Sequence, residues 1–242
     1  MAPVNPPVVP EALKHPALRA VKRRGREAVA AVRRRRAWPR FAAAAERLRA
    51  TAPADPPLAL LEELRASWGD PDSAPAGLLL AAIQRLRDAN EDGVECGSGL
   101  STVVLGIYAE ALGRRWWALE QHPPWRRRVE RALDRLDLAA ARAVDAPLVD
   151  HADYRWYRVP DVLPERIDFV LCDGPPADRE EARLARYGLV PTLGDRFADA
   201  VTILLDDASR PGERAVLERW EDLGLRWTPG EASRQFAVVT RG

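Results

Sequence analysis

Two glycines and several polar residues follow a short strand-like segment near the middle of the chain. Gly93–Cys96 leads into Gly97-Ser98-Gly99-Leu-Ser101-Thr102, where a helical pattern begins. Glycines at this point let the backbone turn tightly and approach a ligand where a Cβ atom would collide. Free N–H groups at the start of a helix favour a carboxylate or a phosphate. Because Thr102 replaces the third glycine of the dinucleotide fingerprint G-x-G-x-x-G, the pattern argues against a pyrophosphate cofactor.

Two carboxylates stand close to this loop in the predicted sheet. Glu95 lies just before the loop, where it would repel a diphosphate but attract an ammonium group. Glu120 ends the next strand-like segment, about 20 residues further on, a spacing at which an acidic residue accepts hydrogen bonds from ribose hydroxyls. Together they favour a nucleoside ligand that also carries an ammonium group.

Three further carboxylates follow the next two apolar segments. Asp173 comes after Ile167–Cys172, and Asp206 and Asp207 come after Val201–Leu205. The two segments should be neighbouring strands, which would bring the three carboxylates to one rim, and such oxygen ligands suit Mg²⁺. Asp173 and Asp207 are also candidate general bases, with His151 as a third. The alternative is a structural role, since Asp often caps the turn after a strand.

Strand-like and helical segments alternate from about residue 88 onward, at the spacing of βαβ units. The predicted strands are Gly93–Cys96, Arg115–Glu120, Arg142–Val149, Ile167–Cys172 and Val201–Leu205, with a closing hairpin over Leu225–Thr228 and Gln235–Thr240. The predicted helices are Leu58–Ser67, one through Leu78 and Leu86, Ser101–Leu112, Pro124–Leu136, Arg179–Ala198 with a break at Pro191, and Gly212–Leu223. The pattern predicts an α/β fold with a mostly parallel sheet and helices on both faces.

The loop E-C-G-S-G-x-S-T, with an acidic residue ending the second strand, resembles class I S-adenosylmethionine-dependent methyltransferases over about residues 78–241. The resemblance implies a Rossmann-like sheet of seven strands with an antiparallel C-terminal hairpin. It also implies the cofactor contacts. The methionine end would lie on Glu95, Gly97, Ser98, Gly99 and Ser101, the ribose on Glu120 with Gln121 nearby, and the adenine on Pro147 and Leu148. A separate interpretation of Asp173 is that it binds the cofactor beside the sulfonium and takes the proton of the acceptor.

The acidic loops carry two further resemblances. Asp173, Asp206 and Asp207 resemble the Mg²⁺ ligands of catechol-type O-methyltransferases, but Pro175 and Pro176 occupy the region where those enzymes carry a Lys. The stretch that begins Asp173-Gly-Pro-Pro also resembles bacterial methyltransferases associated with O-methylation of glycans and small molecules. This second resemblance implies a small-molecule or sugar acceptor.

The N-terminal segment differs in charge from the rest of the chain. Residues 1–50 contain 13 basic and 3 acidic residues, whereas the 242-residue chain has a formal net charge of +1. We expect a Pro-rich tail and a basic helical extension over 1–57, with helical breaks near Gly25 and Pro39, and the cofactor-binding domain over 58–242. The extension could dock nucleic acid, or it could cover the cofactor cleft or form a homodimer contact.

Several function classes remain open on the residues alone. The first hypothesis is the O-methyltransferase of a small molecule or sugar. The second is an RNA or protein methyltransferase that docks through the basic extension, and the third is a non-catalytic module that binds the cofactor. A dehydrogenase is a fourth. Two cysteines indicate a reducing, cytoplasmic setting rather than a disulfide framework, and no apolar run approaches the roughly 20 residues of a membrane span.

Overall fold

Buried apolar segments form the centre of one large sheet in the computed structural model, which describes residues 16–177, 184–230 and 235–241, with side chains from residue 31. The sheet has seven strands in the order β3-β2-β1-β6-β7-β9-β8. Its strands are β1 Gly93–Cys96, β2 Trp116–Glu120, β3 Ala141–Asp145, β6 Ile167–Cys172, β7 Phe197–Leu205, β8 Leu225–Pro229 and β9 Ala237–Arg241. The first five pair in parallel, and β9 runs antiparallel to both β7 and β8. The predicted α/β sheet and closing hairpin are confirmed.

Helices cover both faces of the sheet. They are α1 Pro16–Thr51, α2 Leu58–Trp68, α3 Ala76–Asp88, α4 Leu100–Ala111, α5 Pro123–Arg135, α6 Leu189–Leu193 and α7 Pro211–Glu221. Successive residues of β6 point to opposite faces, as in any strand. Phe169 and Leu171 pack with α1 to α5, while Val170 and Cys172 pack with α6 and α7.

The third predicted strand was too long. β3 ends at Asp145, and the next residues form a separate antiparallel ribbon of β4 Leu148–Asp150 and β5 Arg155–Tyr157. Pro147 lies at the junction, where it has no N–H to donate to a continuing ladder. The chain therefore leaves the main sheet four residues earlier than the hydrophobic pattern predicts.

The predicted interruptions of the N-terminal helix were wrong. α1 is continuous through Gly25 and Pro39, and the predicted start at Glu11 lies outside the described residues. Pro39 removes one backbone hydrogen bond. Buried residues just after it (Phe41, Ala44, Ala45 and Leu48) hold this part of α1 against the core, so the helix persists.

The helical stretch predicted to end at Ala198 stops earlier. Residues 178–183 lie outside the described residues, and 3-10 turns at Ala185–Gly188 and Gly194–Arg196 flank the short helix α6. Pro191 lies in the first turn of α6, where no intrahelical donor is needed, so it does not break that helix. The following strand, β7, begins at Phe197 rather than Val201.

Within the described part of the chain, no helix combines the length and apolar character that a membrane span requires.

Candidate functional site

A cavity of about 580 Å³ opens at the carboxyl ends of β1, β2 and β6. In open parallel sheets this edge is where ligands bind. Eight residues predicted to touch the cofactor line it: Glu95, Gly97, Ser98, Gly99, Ser101, Glu120, Gln121 and Asp173. The loop between α2 and α3 supplies a further wall with Asp70, Asp72 and Ser73. The structure thus brings together predicted cofactor-binding residues that are as far apart in the sequence as Glu95 and Asp173, which are separated by 78 positions.

Two glycines allow the loops after β1 and β6 to touch. Gly97 has a φ of +89°, which L side chains rarely adopt. A Cβ atom on Gly174 would lie 2.8 Å from the nitrogen of Gly97 and 2.5 Å from the hydroxyl of Tyr157. Both loops form part of the cavity wall, so this close approach fixes its shape.

Glu95 is buried in a cage of hydrogen-bond donors. Its carboxylate accepts hydrogen bonds from the Ser101 hydroxyl, from Thr102 Oγ1 at 2.8 Å and from Trp116 Nε1 at 3.1 Å. Thr102 Oγ1 in turn accepts from the N–H of Gly99 at 2.9 Å, which ties the carboxylate to the glycine loop. Burial raises the pKa of Glu95 to about 7. Through these hydrogen bonds Glu95 holds the glycine loop and the first turn of α4 in place.

Glu120 joins the glycine loop to the end of β2. Its carboxylate accepts from the Ser98 hydroxyl and from the N–H of His122, both at 2.8 Å. Trp125 Nε1 donates to the carbonyl of Ser98 at 2.6 Å, which holds the loop against α5. Burial raises the pKa of Glu120, although the two hydrogen bonds oppose that shift. Each carboxylate oxygen retains a lone pair for a ligand hydroxyl.

The charge of the cavity is one-sided. Five acidic residues line its wall, namely Asp70, Asp72, Glu95, Glu120 and Asp173, and no Lys or Arg is among the described lining residues. A dinucleotide would bring its pyrophosphate into this negative field without a partner. A ligand with a positive centre is attracted instead.

Three polar atoms at the cavity wall are buried without a partner among the described residues. They are Ser73 Oγ, the Gln121 side-chain oxygen and the hydroxyl of Tyr157. Buried polar groups are nearly always hydrogen-bonded in folded proteins, so these atoms are suited to contact a bound ligand or water. Burial raises the pKa of Tyr157 well above its ordinary value, which keeps its hydroxyl a donor.

Asp173, Asp206 and Asp207 meet at one rim, as predicted, with ligand atoms within 4.8 Å of one another. The buried guanidinium of Arg186 lies against them, 3.0 Å from Asp207 and 3.5 Å from Asp173, and it donates to the backbone carbonyls of Asp173 and Asp206. Glu213 Oε1 lies 3.7 Å from the same guanidinium. Arg186 thus already supplies a positive charge to these carboxylates, and a Mg²⁺ ion at Asp173, Asp206 and Asp207 stays a prediction.

Besides Asp206 and Asp207, which lie at the acidic rim, three predicted site residues are outside the described cavity wall, namely Pro147, Leu148 and His151. Pro147 is exposed and accepts a hydrogen bond from the N–H of Arg158, while the half-buried Leu148 begins the ribbon. His151 is exposed and stacks on Tyr154, with ring centroids 4.5 Å apart. A role for these three residues stays a prediction. Their placement follows from the early end of β3.

Several cavity residues had no signal in the sequence. Asp70, Asp72 and Ser73 lie in a loop before the recognised pattern, and Trp125 lies in the charged helix α5. Arg186, at the acidic rim rather than in the cavity wall, is one of several arginines in its stretch of the sequence and did not stand out there. The only available signal was its position between two acidic strand ends.

Comparisons with known proteins agree with this architecture. No protein-family model and no curated protein sequence matches the chain. Among solved structures, the SAH-bound methyltransferase PaMTH1 of Podospora anserina is similar, with 13% identity, 70% of this chain and 80% of that chain covered, and a TM-score of 0.51. Precorrin-6y C5,15-methyltransferase of Geobacter metallireducens has 17% identity, with 71% and 90% covered and a TM-score of 0.50. The fold of this chain is the class I S-adenosylmethionine-dependent methyltransferase fold.

Proposed function

We propose that the protein is a methyltransferase that binds S-adenosylmethionine in the 580 Å³ cavity. The one-sided charge of that cavity supports the proposal most directly. When bound, the cofactor supplies a methyl group on a positively charged sulfonium. Five acidic side chains in a wall whose described residues include no Lys or Arg suit such a cation, and they disfavour the pyrophosphate of a dinucleotide.

The residues of the wall fit the parts of this cofactor. Glu120, at the end of β2, would accept hydrogen bonds from ribose hydroxyls through the lone pairs that Ser98 and His122 leave free. The glycine loop, with Gly97 and Gly99, leaves room for close backbone contact with the methionine portion. Asp173 and the unpartnered hydroxyl of Tyr157 lie on the side formed by the β6 loop.

Asp173 is the preferred proton acceptor. Burial and the nearby Asp206 carboxylate raise the pKa of Asp173 well above its ordinary value, which makes it a stronger base. Asp207 is less suited because Arg186 and Arg210 both pair with it, at 3.0 and 2.7 Å. An acceptor hydroxyl aligned at Asp173 would lose its proton there as the methyl group is transferred. We therefore favour O-methylation of a small molecule or sugar.

Calorimetric titration with S-adenosylhomocysteine tests the cofactor assignment. We expect binding by the wild type, at least tenfold weaker binding by Glu120→Ala, and no binding of NAD. Glu218→Ala is the matched control, because Glu218 is exposed on α7 and away from the cavity. A folded protein that binds no S-adenosylhomocysteine would contradict the proposal, and binding of NAD would favour a dehydrogenase.

Binding without turnover would favour the non-catalytic module. Acceptor screens with the wild type and Asp173→Asn distinguish an enzyme from such a module. Loss of turnover with retained S-adenosylhomocysteine binding in Asp173→Asn would assign a catalytic role to Asp173. A nucleic-acid acceptor is the second candidate, and an arginine-lined cavity between α1 and α5 favours it. A cytoplasmic setting and a homodimer stay predictions.

A further inference from the structure

A second cavity, of about 780 Å³, runs between α1, the end of α2 and α5. We call it the basic groove, and define it by Arg34, Arg35, Arg128, Arg131 and Arg135, together with the indoles of Trp38, Trp68 and Trp125. The proposed cofactor contacts and the proposed proton acceptor include none of these side chains. Its composition is the opposite of that of the acidic cavity beside it.

The positive charge of the basic groove is largely uncompensated. In the part of the chain that the structure describes, Arg34, Arg35, Arg131 and Arg135 have no carboxylate within ion-pair distance, and Arg128 reaches Asp70 only at 4.0 Å. Burial and the nearby Arg34 lower the pKa of Arg128 to about 10. Five like charges held in one concave surface attract an anion with several negative groups.

The half-buried indoles of Trp38 and Trp125 give the groove flat surfaces, whereas Trp68 is 4% exposed and lies beneath them in the core. The Arg128 guanidinium lies over the rings of Trp68 and Trp125, 4.2 and 4.4 Å from their centroids, and Arg135 lies 3.8 Å over Trp38. Trp68 Nε1 is buried without a partner among the described residues. Planar groups that alternate with cations are the surface on which nucleotide bases stack while phosphates pair.

The basic groove adjoins the cofactor cavity. His122 and Trp125 line both, and Trp125 also bonds the glycine loop through the carbonyl of Ser98. A ligand held in the groove therefore ends beside the acidic cavity.

We propose that the basic groove binds single-stranded nucleic acid and delivers one of its nucleotides to the methyl-donor cavity, where that nucleotide would be the acceptor in place of a free small molecule or sugar. The delivery step rests on the proposed function, whereas binding in the groove does not. A single strand fits better than an anionic membrane, because the arginines line a concave cavity rather than a convex face with exposed apolar side chains. Unpaired bases can also stack on indoles, whereas lipid headgroups cannot.

Fluorescence anisotropy with a labelled single-stranded RNA of about 12 nucleotides tests this binding without cofactor. The full chain carries either Arg131→Ala with Arg135→Ala or, as a control that removes equal charge, Arg127→Ala with Arg142→Ala. Arg127 and Arg142 are exposed, lie outside the groove and have no ion pair among the described residues.

We expect the groove variant to bind RNA about tenfold more weakly than the control. Each arginine that pairs with a phosphate of a single strand contributes roughly 0.7 to the slope of log affinity against log salt concentration. The groove variant lacks two arginines, so its slope should be shallower by about 1.4. Trp38→Ala should also weaken binding at a single salt concentration. Calorimetry with S-adenosylhomocysteine, expected to be unchanged in all three variants, separates a failed groove proposal from a failed cofactor assignment.

Equal losses in the groove and control variants would overturn the proposal, because the effect would then be one of net charge. No RNA binding by the wild type would overturn it too. Binding of phosphatidylserine vesicles in preference to RNA would assign the groove to a membrane surface instead.

Discussion

At the scale of single residues, Glu95 is the most enclosed acid of the cofactor cavity. It is 1% exposed, and three side-chain donors surround it without a cation. Burial outweighs those donors and raises its pKa to about 7 from the ordinary 4.5. Glu95 thus couples the stability of the glycine loop to pH.

The sign of that coupling follows from the proton count. Between pH 4.5 and about 7 the unfolded carboxyl is ionised while the folded one holds its proton, so the free energy of unfolding falls as pH rises. A shift of this size corresponds to about 3 kcal/mol. We expect Glu95→Gln to remove most of this slope, as measured by urea unfolding from about pH 5 to about pH 8. Glu218→Gln serves as control, and identical slopes for both variants would contradict the shifted pKa.

Arg186 gives a second residue-scale prediction. Its guanidinium is 3% exposed and balances Asp173, Asp207 and Glu213. Removing one partner of a buried ion cluster leaves uncompensated charge, and Arg186→Met should cost about 3–5 kcal/mol of stability. Arg210→Met is the matched control, because Arg210 pairs with the same Asp207 but is 49% exposed, and it should cost less than about 1 kcal/mol. The unfolding midpoints in urea decide, and similar losses in both variants would show that Arg186 does not neutralise the cluster.

At the scale of elements, α1 is the part of the chain whose role changes most between sequence and structure. Its basic composition suggests a separate extension, yet Phe41 packs against Trp68, with ring centroids 5.3 Å apart. Leu48 and its neighbours belong to the same core as α3 and α4. The predicted division of the chain at residue 57 stays a prediction, and the buried end of α1 offers a way to test it.

We expect Phe41→Ala to destabilise the whole protein by about 3–5 kcal/mol, because it removes a fully buried aromatic side chain from the shared core. Val32→Ala, at a position on the same helix that is 52% exposed, should change stability by less than about 0.5 kcal/mol. Thermal unfolding followed by circular dichroism measures both. A Phe41→Ala protein as stable as wild type would mean that α1 is an independent appendage.

The strands of the sheet were predictable because buried parallel strands are short apolar runs bounded by turns. β1 and β6, which are buried throughout, follow this rule closely. The β4–β5 ribbon was missed because its three-residue strands are too short to show a period. Continuous α1 was missed because local propensity at Pro39 is overridden by packing at Phe41, which no local pattern reveals.

For the site, local spacing was sufficient for Glu95, Gly97 and Glu120, since the loop and strand end that carry them are contiguous in sequence. It was insufficient for Arg186, whose partners lie 13 to 27 residues away and meet it only through the fold. The same holds for the α2–α3 loop, which reaches the cavity from a part of the chain without any motif.

At the scale of the whole molecule, two fields of opposite sign lie side by side. The near-zero net charge of the sequence conceals an acidic cavity and a basic groove that share His122 and Trp125. Charges of one sign concentrate their counterparts in a concave surface. A cationic methyl donor would therefore be attracted to the acidic cavity and an anionic strand to the basic groove, so that the two ligands would occupy adjacent sites.

The contact between Gly97 and Gly174 has a consequence for ancestry. A side chain at 174 would overlap both the backbone at 97 and the hydroxyl of Tyr157, so position 174 admits only glycine while these two loops stay in contact. Distant relatives that keep this contact should therefore keep a glycine after the fourth parallel strand, even where overall identity has decayed. A glycine pair on two loops that are far apart in sequence offers a way to recognise kin that a scan for contiguous motifs would pass over.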